Sequence, residues 1–220
     1  MATVSLFAKS SKVASMCEPL RGTRLNVESS KVRSRLGREQ HVSSDRWSSS
    51  STQYVAPRSP IEAEAWSAEA EARGGKGSQR LIEVAEVPPP PEIAHALALG
   101  AGETVITRRR MMYLDDRPVE LTNSYFPLSI ARDTALAESA KIRGGAVTLL
   151  ASLGYTAKHV TEEVYSRPPT PHEQVSLQLP DGQWVLILAR TSRDAEGTPF
   201  EADLMVMPAQ QNRLVYEMDR

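Results

Sequence analysis

Two arginines placed two residues apart are the strongest candidates for chemistry in this 220-residue sequence. The stretch from Thr104 to Leu114 predicts a long strand, and its period-two alternation places Arg108 and Arg110 on one otherwise apolar face. If that face is buried, both guanidinium groups require an anionic partner or an anionic ligand. The pair would suit a clamp for a phosphate or a carboxylate. The alternative is a row of solvent-facing arginines that pair with glutamates on the next strand.

Two glutamates could complete such a site. Glu120 lies on the predicted return strand, Val119 to Phe126, and whether it shares a face with Arg110 depends on the connecting turn. An odd-numbered loop or a bulge would bring the two together, whereas a two-residue loop would not. Glu201 follows a second predicted hairpin turn and is either a pocket acid or an edge-strand charge. General acid–base chemistry by either glutamate stays open.

The other reactive side chains form no recognisable catalytic or metal site. The four histidines lack metal-ligand spacing, and the single Cys17 excludes an internal disulfide framework and suits a reducing cytosol. There is no GxSxG-type nucleophile motif. Glu162 and Glu163 are neighbours in a strand, so one would face inwards, although surface pairing is favoured. We therefore predict no metal, no cofactor and no catalytic nucleophile, and a cytoplasmic location.

The overall composition excludes two broad classes of partner. Lys and Arg number 26 against 27 Asp and Glu, so a basic surface covering the whole chain for nucleic acid is not expected. No apolar run approaches the roughly 18 residues needed to cross a bilayer. We predict no association with a membrane.

The charge balance changes sharply along the chain. The first 60 residues hold ten Lys or Arg against four Asp or Glu, together with 14 Ser, and show no sustained apolar period. We predict a disordered basic head at 1–35, a junction or linker at 36–79 and a folded domain at 80–220. Residues 61–73 could form a helix with a poor apolar face, and the glycines at 74–77 suggest a flexible joint.

The folded part alternates hairpins with short helices. Strands are predicted at 81–87, 104–114, 119–126, 159–167, 184–191, 199–207 and 213–218, and helices at 92–99, 145–153 and 170–177, with a short helical turn within 127–133. Thr170-Pro171-His172-Glu173 is a strong helix start, with an N-cap threonine, a first-turn proline and a capping-box glutamate. This order predicts an α+β domain with a mainly antiparallel sheet of about six strands.

The stretch from Glu103 to Pro127 resembles the UTRA domain, the effector-binding domain of HutC-type GntR transcriptional regulators. The resemblance covers roughly residues 80–218. Further segments match in the same order, namely Gly144-Gly145, Leu153-Gly154-Tyr155, Thr161 to Val164, Pro169 to Glu173, Trp184 to Arg190, and Asp194 to Glu201. Leu36 to Glu39 and Trp47 also resemble the junction that precedes this domain. The resemblance implies a chorismate-lyase-like fold, a curved antiparallel sheet with flanking helices, a small-molecule pocket and a homodimer.

The resemblance also implies residues for an effector site. In sugar-phosphate sensors of the family, an Arg-x-Arg pair holds the anionic group and an acid ten residues later holds hydroxyls. The matching positions here are Arg108, Arg110 and Glu120, and Glu201 matches a second acid. Three positions at which polar residues are common in the family differ, because this chain has Gly145, Val147 and Met207 there. The implied pocket is therefore less polar than that of a sugar-phosphate sensor.

The function implied is that of a ligand sensor rather than an enzyme. A small anionic metabolite would shift the arrangement of a homodimer, or of a mixed dimer with an intact regulator, and thereby control transcription. DNA would be bound only through a winged helix-turn-helix head, for which the sequence before residue 36 offers no pattern. A misassigned start, a degraded gene and a free-standing sensor domain are the three interpretations of this. Two alternatives remain: a lyase-like enzyme acting on a carboxylate substrate, and a degraded regulator that no longer binds DNA.

Overall fold

The computed structural model describes residues 47–49, 54–57, 65–72 and 74–216. The predicted basic head, 1–35, and the junction residues 36–39 lie outside the described residues. The elements in chain order are β1 (Trp47–Ser49), α1 (Ala65–Ala72), β2 (Gly77–Val87), α2 (Pro91–Ala96), β3 (Val105–Leu114), β4 (Arg117–Pro127), α3 (Leu128–Ala131), α4 (Gly145–Ser152), β5 (His159–Arg167), α5 (Pro171–Ser176), β6 (Val185–Arg193), β7 (Pro199–Pro208) and β8 (Asn212–Leu214).

Six of these strands form one antiparallel sheet in the order β2-β3-β4-β7-β6-β5. The short strands β1 and β8 pair with each other in parallel, beside that sheet. The predicted α+β class with a mainly antiparallel, curved sheet is therefore confirmed.

One face of the sheet is built from apolar side chains and is covered by two short helices. Ile93 and Leu97, at α2, pack on the β3, β4 and β7 side chains Val105, Tyr125 and Ala202. Leu177 and Leu179, just after α5, pack on a second group formed by Met111, Leu121, Val185, Ile187 and Val206. Each fully buried side chain of this size contributes roughly 1.5–3 kcal/mol to folding. We call this the apolar face.

The start of α5 shows how the sequence fixes these helices. The Thr170 hydroxyl accepts a hydrogen bond from the backbone N–H of Glu173 at 3.2 Å, and the Glu173 carboxylate accepts one from the N–H of Thr170 at 2.8 Å. Both bonds belong to the predicted capping box. Arg167, at the end of β5, donates to both carboxylate oxygens of Glu173, at 2.7 and 2.8 Å. The cap therefore ties the helix to the edge strand before it.

The opposite face of the sheet carries polar side chains at its centre and apolar ones at both ends. At one end Ile106, Phe126 and Phe200 pack with Leu136 and with Leu150 of α4, and at the other Leu188, Met205 and Met207 pack together. In the centre lie Arg108, Arg110, Glu120, Ser124, Arg190, Glu201 and Asp203, which the strand register places on the same side. We call this the polar face.

A bulge in the β3–β4 hairpin decides which side Glu120 faces. The turn has two residues, Asp115 and Asp116, both with positive φ (49° and 63°), as a type I′ turn requires. That turn alone would pair Glu120 with Met111 and place it on the face away from Arg110. The register shifts between Met112 and Tyr113, however, so that Glu120 pairs with Met112 and joins the face of Arg110. The sequence left open whether a bulge would bring Glu120 and Arg110 to the same face, and the structure contains that bulge.

Several predicted boundaries differ from the observed ones. Strand β2 begins at Gly77, so the end of the predicted glycine joint belongs to the sheet, where Gly77 packs against Trp66 and Ala70 of α1. The last strand is Asn212–Leu214 rather than 213–218. Residues 65–72 are helical, and Trp66 and Ala70 are buried despite the weak apolar stripe. The indole N–H of Trp66 donates to the carbonyl of Tyr113, at 2.9 Å, which anchors α1 to β3.

Candidate functional site

A row of five polar side chains crosses the polar face from β3 to β5. Arg108, Ser124, Asp203, Arg190 and Glu162 are direct register partners on the adjacent strands β3, β4, β7, β6 and β5. All are buried except Glu162, whose side chain is 11% exposed. Buried charges are stable only when they are paired or hydrogen-bonded. The contacts of each member therefore show which groups remain available to a ligand.

Arg108 is held by the backbone of the loop between α3 and α4. Its Nη1 donates to the carbonyls of Ala135, Leu136 and Glu138 at 3.2, 2.9 and 2.7 Å, and its Nη2 donates to that of Ala140 at 2.7 Å. Burial lowers the pKa of Arg108, as does the neighbouring Arg110. Four carbonyls thus engage two nitrogens of a cation that the sequence analysis assigned to an anionic ligand.

Arg110 is less completely satisfied than Arg108. Its Nη2 donates to the hydroxyl of Ser124 at 3.0 Å, and that hydroxyl donates to Asp203 at 2.5 Å. The Nε of Arg110 is buried and has no hydrogen-bond partner among the described residues. A buried N–H without an acceptor costs about 1–3 kcal/mol, more when it is charged. Arg110 is therefore a group that an incoming acceptor would stabilise.

Arg190 and Glu162 form a buried ion pair at the β5 end of the row. Their Nε and Oε1 atoms are 2.7 Å apart, with side chains 7% and 11% exposed. Burial acts to lower the pKa of Arg190, but Asp203, Glu162 and Glu201 together raise it. The expectation of surface pairing for this glutamate was wrong, because register places Glu162 opposite Arg190 and on the polar face.

Glu120 and Glu201 are acids held in an unfavourable environment for charge. Burial raises the pKa of Glu120, although the Thr122 hydroxyl that donates to it, Arg110 and Arg190 act to lower it. Burial and then the nearby Asp203 raise the pKa of Glu201 to about 8, against the opposing effects of Arg110, Arg190 and Ser192. Among the described residues Glu201 forms no ion pair. At neutral pH the Glu201 carboxyl is mainly protonated.

Glu201 lies in the wall of a pocket between the sheet and α4. The pocket has a cavity volume of about 10 Å³, which is room for about one water molecule, and it is partly open to solvent. Its lining is mostly apolar and consists of Val55, Pro57, Val147, Leu150, Tyr155, Thr156, Ala157, Ser192, Phe200 and Glu201. Phe200 is the extra residue of a bulge opposite Ser192 and Arg193, and its ring centroid lies 5.8 Å from that of Tyr155, with the two ring planes tilted by 40°. This bulge fixes the position of Glu201 beside the pocket.

The residues predicted for the site fall into two groups. Arg110, Glu120 and Glu201 share the polar face, and Val147 lines the pocket beside Glu201. Met207 lies on the same face, two and four residues beyond Met205 and Asp203, but it packs in the apolar cluster with Leu188, Met205 and Leu214 rather than in the pocket. Gly145 starts α4 with a φ of 83°, and Arg108 binds the loop before that helix. Both residues therefore position the loop and helix that cover the polar face, and neither lines the pocket.

Sequence reasoning missed Ser124, Asp203 and Arg190 as members of the site. Asp203 follows Glu201 by two residues in a strand, and Arg190 precedes Ser192 by two, so alternation along each strand was an available signal. It also missed the contribution of Val55 and Pro57, which belong to the predicted linker. Their sequence gives no sign that they reach the pocket.

Among residues 47–49, 54–57, 65–72 and 74–216, no group of three or more His, Cys, Asp or Glu side chains is arranged to hold a metal ion. Within the same ranges, no helix has the length and apolar character required to cross a membrane.

Comparison with known proteins gives a consistent family and fold. A family model described as UTRA domain matches residues 72–213. An uncharacterized HTH-type transcriptional regulator of Streptomyces coelicolor is 31% identical over 135 residues, which is 60% of this chain and 50% of that protein. The chain thus spans about half the length of this curated relative.

Solved structures share the fold at lower sequence identity. A putative GntR-family transcriptional regulator superposes with a TM-score of 0.67 and 22% identity, covering 80% of this chain and 70% of that one. The effector domain of PhnF from Mycobacterium smegmatis gives 0.61 and 17%, covering 74% and 98%. The C-terminal domain of the histidine utilization repressor from Pseudomonas syringae gives 0.57 and 18%, covering 66% and 100%.

Proposed function

This chain belongs to the UTRA domain family, and on that basis we propose that it is the effector-binding part of a HutC-type GntR transcriptional regulator. The names of its relatives, which include an effector domain and transcriptional regulators, support the proposal. The observation that carries it is the partly satisfied polar face. The buried Arg110 Nε, for which the described residues offer no acceptor, lies on the same face as Glu201, which borders an apolar pocket.

The effector is proposed to place an anionic group on Arg110. Glu120 and Glu201 would bind hydrogen-bond donors of the same molecule, and Val147 would contact its apolar part. Arg108 would act indirectly, by fixing the loop at 135–140 that covers this face. Gly145 would likewise support the site through the start of α4, and Met207 through its packing with Leu188, Met205 and Leu214. A small anionic metabolite remains the proposed ligand class.

The route from pocket to DNA is proposed to pass through the segment before the domain. Val55 and Pro57 line the pocket and precede α1 in the chain, and the Tyr54 hydroxyl donates to Glu69 of α1. A ligand in the pocket would therefore displace or hold the segment that leads towards the N-terminus. In a homodimer, or in a mixed dimer with an intact regulator, that change would favour one arrangement of attached DNA-binding heads.

The proposal is tested by a thermal-shift screen of anionic metabolites against the full chain. A ligand at 100 times its Kd should add about 2.7 kcal/mol to the free energy of unfolding. Titration of each stabilising compound then measures affinity, and analysis for product shows whether the compound is consumed. Reversible binding without product is expected. No stabilisation by any compound would contradict the proposal and would favour a degraded regulator.

Arg110→Ala is expected to weaken binding of such a compound by about 1.5–3 kcal/mol, because it removes charge-assisted hydrogen bonds. Isothermal titration of the wild type and the variant measures the difference. Arg109→Ala is the matched control, since Arg109 lies on the apolar face and pairs with Glu83 and Asn123. Equal affinities of all three proteins would remove Arg110 from the site.

A second function, a lyase-like enzyme acting on a carboxylate substrate, is favoured by one observation. Glu201 is a carboxyl with a pKa of about 8 on the same face as Arg110, and could serve as a proton donor to a bound carboxylate substrate. Turnover of a stabilising compound that is lost in Glu201→Gln would support this alternative. Binding without turnover would support the sensor.

A further inference from the structure

The polar face holds more carboxyl groups than guanidinium groups. Its carboxyl groups are Glu120, Glu162, Glu201 and Asp203, and its cations are Arg108, Arg110 and Arg190. Arg190 pairs with Glu162, and Arg110 reaches Asp203 through the Ser124 hydroxyl. The Nη1 and Nη2 atoms of Arg108 donate to backbone carbonyls. The shortage of positive charge therefore falls on Glu120 and Glu201.

Only one of these two acids lines the pocket. Glu201 is 6% exposed, and what remains exposed faces a lining whose other polar side chains are the Ser192 and Thr156 hydroxyls and the Tyr155 phenol. None of the described residues in that lining is a lysine or an arginine. A buried carboxylate is strongly destabilised without a cationic partner. The pocket thus presents an acid for which the described lining residues supply no counter-ion.

We propose that the effector is zwitterionic, with an ammonium group that pairs with Glu201 in the pocket and an anionic group that binds Arg110. The inference rests on the proposed function and narrows its ligand from any small anion to an amino-acid-like molecule. The aliphatic and aromatic walls formed by Val147, Leu150 and Phe200 would contact its apolar part once the segment at Val55 and Pro57 moves outwards and widens the pocket. The ammonium supplies a positive charge locally, at Glu201, while the anionic group is neutralised separately by Arg110.

A hydroxyl-bearing anion fits this arrangement less well. A hydroxyl can share a hydrogen bond with the protonated carboxyl, but it brings no charge to the pocket. An ammonium displaces the proton of Glu201 and replaces it with a salt bridge to a carboxylate that is only 6% exposed. The groups that act on Glu201 are Asp203 on its own strand, Arg110 on β3, and Arg190 and Ser192 on β6.

The proton exchange gives the binding a pH dependence. Only the ionised form of Glu201 would pair with the ammonium, whose own pKa near 10 keeps it charged. Because the pKa of Glu201 in the free protein is about 8, the affinity should rise about tenfold from pH 6 to 7 and about fivefold more to pH 8. A ligand without an ammonium would not show this rise, since it requires no ionised Glu201.

The experiment compares three sets of compounds with the same carbon skeletons: primary amines, carboxylates, and amino acids that carry both groups. Each is tested by thermal shift with the full chain, and titration follows for those that stabilise it. Glu201→Gln keeps the shape of the side chain and removes its charge. Glu163→Gln is the matched control, because Glu163 is exposed and points to the other side of β5.

The expected result is stabilisation by one or more amino acids, with affinity rising towards pH 8. The affinity for these amino acids should fall at least tenfold in Glu201→Gln and should be unchanged in Glu163→Gln. Stabilisation by carboxylates alone, lost in Arg110→Ala, would overturn the zwitterion and leave the proposed function standing. Amino acids that bind wild type and Glu201→Gln equally would also overturn it. Failure of all three sets would overturn both proposals.

Discussion

Glu201→Gln is expected to make the domain more stable than the wild type above pH 8, and to remove part of the wild type's loss of stability on going from acid to neutral pH. The pKa of Glu201 is about 8 in the folded protein, against an ordinary value of 4.5. Between these two values the folded state binds the proton more tightly than the unfolded state. The free energy of unfolding therefore falls as pH rises through this window.

The size of the effect follows from the width of the window. One pH unit corresponds to about 1.4 kcal/mol, so the full interval amounts to several kcal/mol, on the order of 3–5. Below pH 4.5 the carboxyl is protonated in both states, and the difference between the two proteins should not change with pH. Glu120, whose pKa is also raised by burial, contributes in the same direction in both proteins.

Urea unfolding of the full chain at a series of pH values from 4 to 9 measures this difference. Glu163→Gln controls for the loss of an exposed carboxylate and should follow the wild-type curve. Parallel curves for the wild type and Glu201→Gln across the whole range would show that Glu201 ionises normally. The description of a charge-deficient pocket would then be wrong.

Arg108→Met is expected to destabilise the domain by about 3–5 kcal/mol. The substitution keeps much of the aliphatic stem but leaves the carbonyls of Ala135, Leu136, Glu138 and Ala140 without their shared donor. Leu136, which is fully buried against Ile106 and Phe126, depends on the same loop conformation. We therefore expect the loss to include part of this packing.

Arg109→Met is the matched control for this change. Arg109 is the next residue along β3, its side chain is 34% exposed, and its ion pair with Glu83 is at the surface. Exposed pairs contribute about 0–1 kcal/mol, so this variant should lie within that range of the wild type. Chemical denaturation compares the two variants directly. A similar, small loss for both would mean that the loop does not depend on Arg108.

The strands and the helix starts could be predicted from local sequence. The alternation of Arg108 and Arg110, the strand His159–Arg167 and the capping box at Thr170 each depend on neighbours within a few residues, and the structure confirms them. Signals of this kind favour a strand or a helix start independently of the contacts that the segment makes with distant parts of the chain. The turn at Asp194–Gly197 was predicted for the same reason and is confirmed, with the Asp194 carboxylate accepting from the N–H of Thr198.

The contacts of the site depended on register between strands that are distant in sequence. Asp203 meets Ser124 across 79 residues, and Arg190 meets Glu162 across 28. The bulge that turns Glu120 to the polar face also lies within a ladder, where one extra residue reverses the faces. No local pattern indicates that the loop carbonyls at 135–140 would accept hydrogen bonds from the guanidinium of Arg108. A pair of arginines on one face did not reveal which one was available.

The most direct test of the account is a titration of the full chain, with labelled Val, Leu and Ile methyl groups, by the strongest stabilising compound of the screens described above. The methyl resonances of Val147 and Leu150, in the pocket on the polar face, should shift in proportion to occupancy. Those of Leu177 and Val185, on the apolar face, should not. Shifts confined to Leu177 and Val185, or no stabilising compound at all, would contradict a ligand site on the polar face.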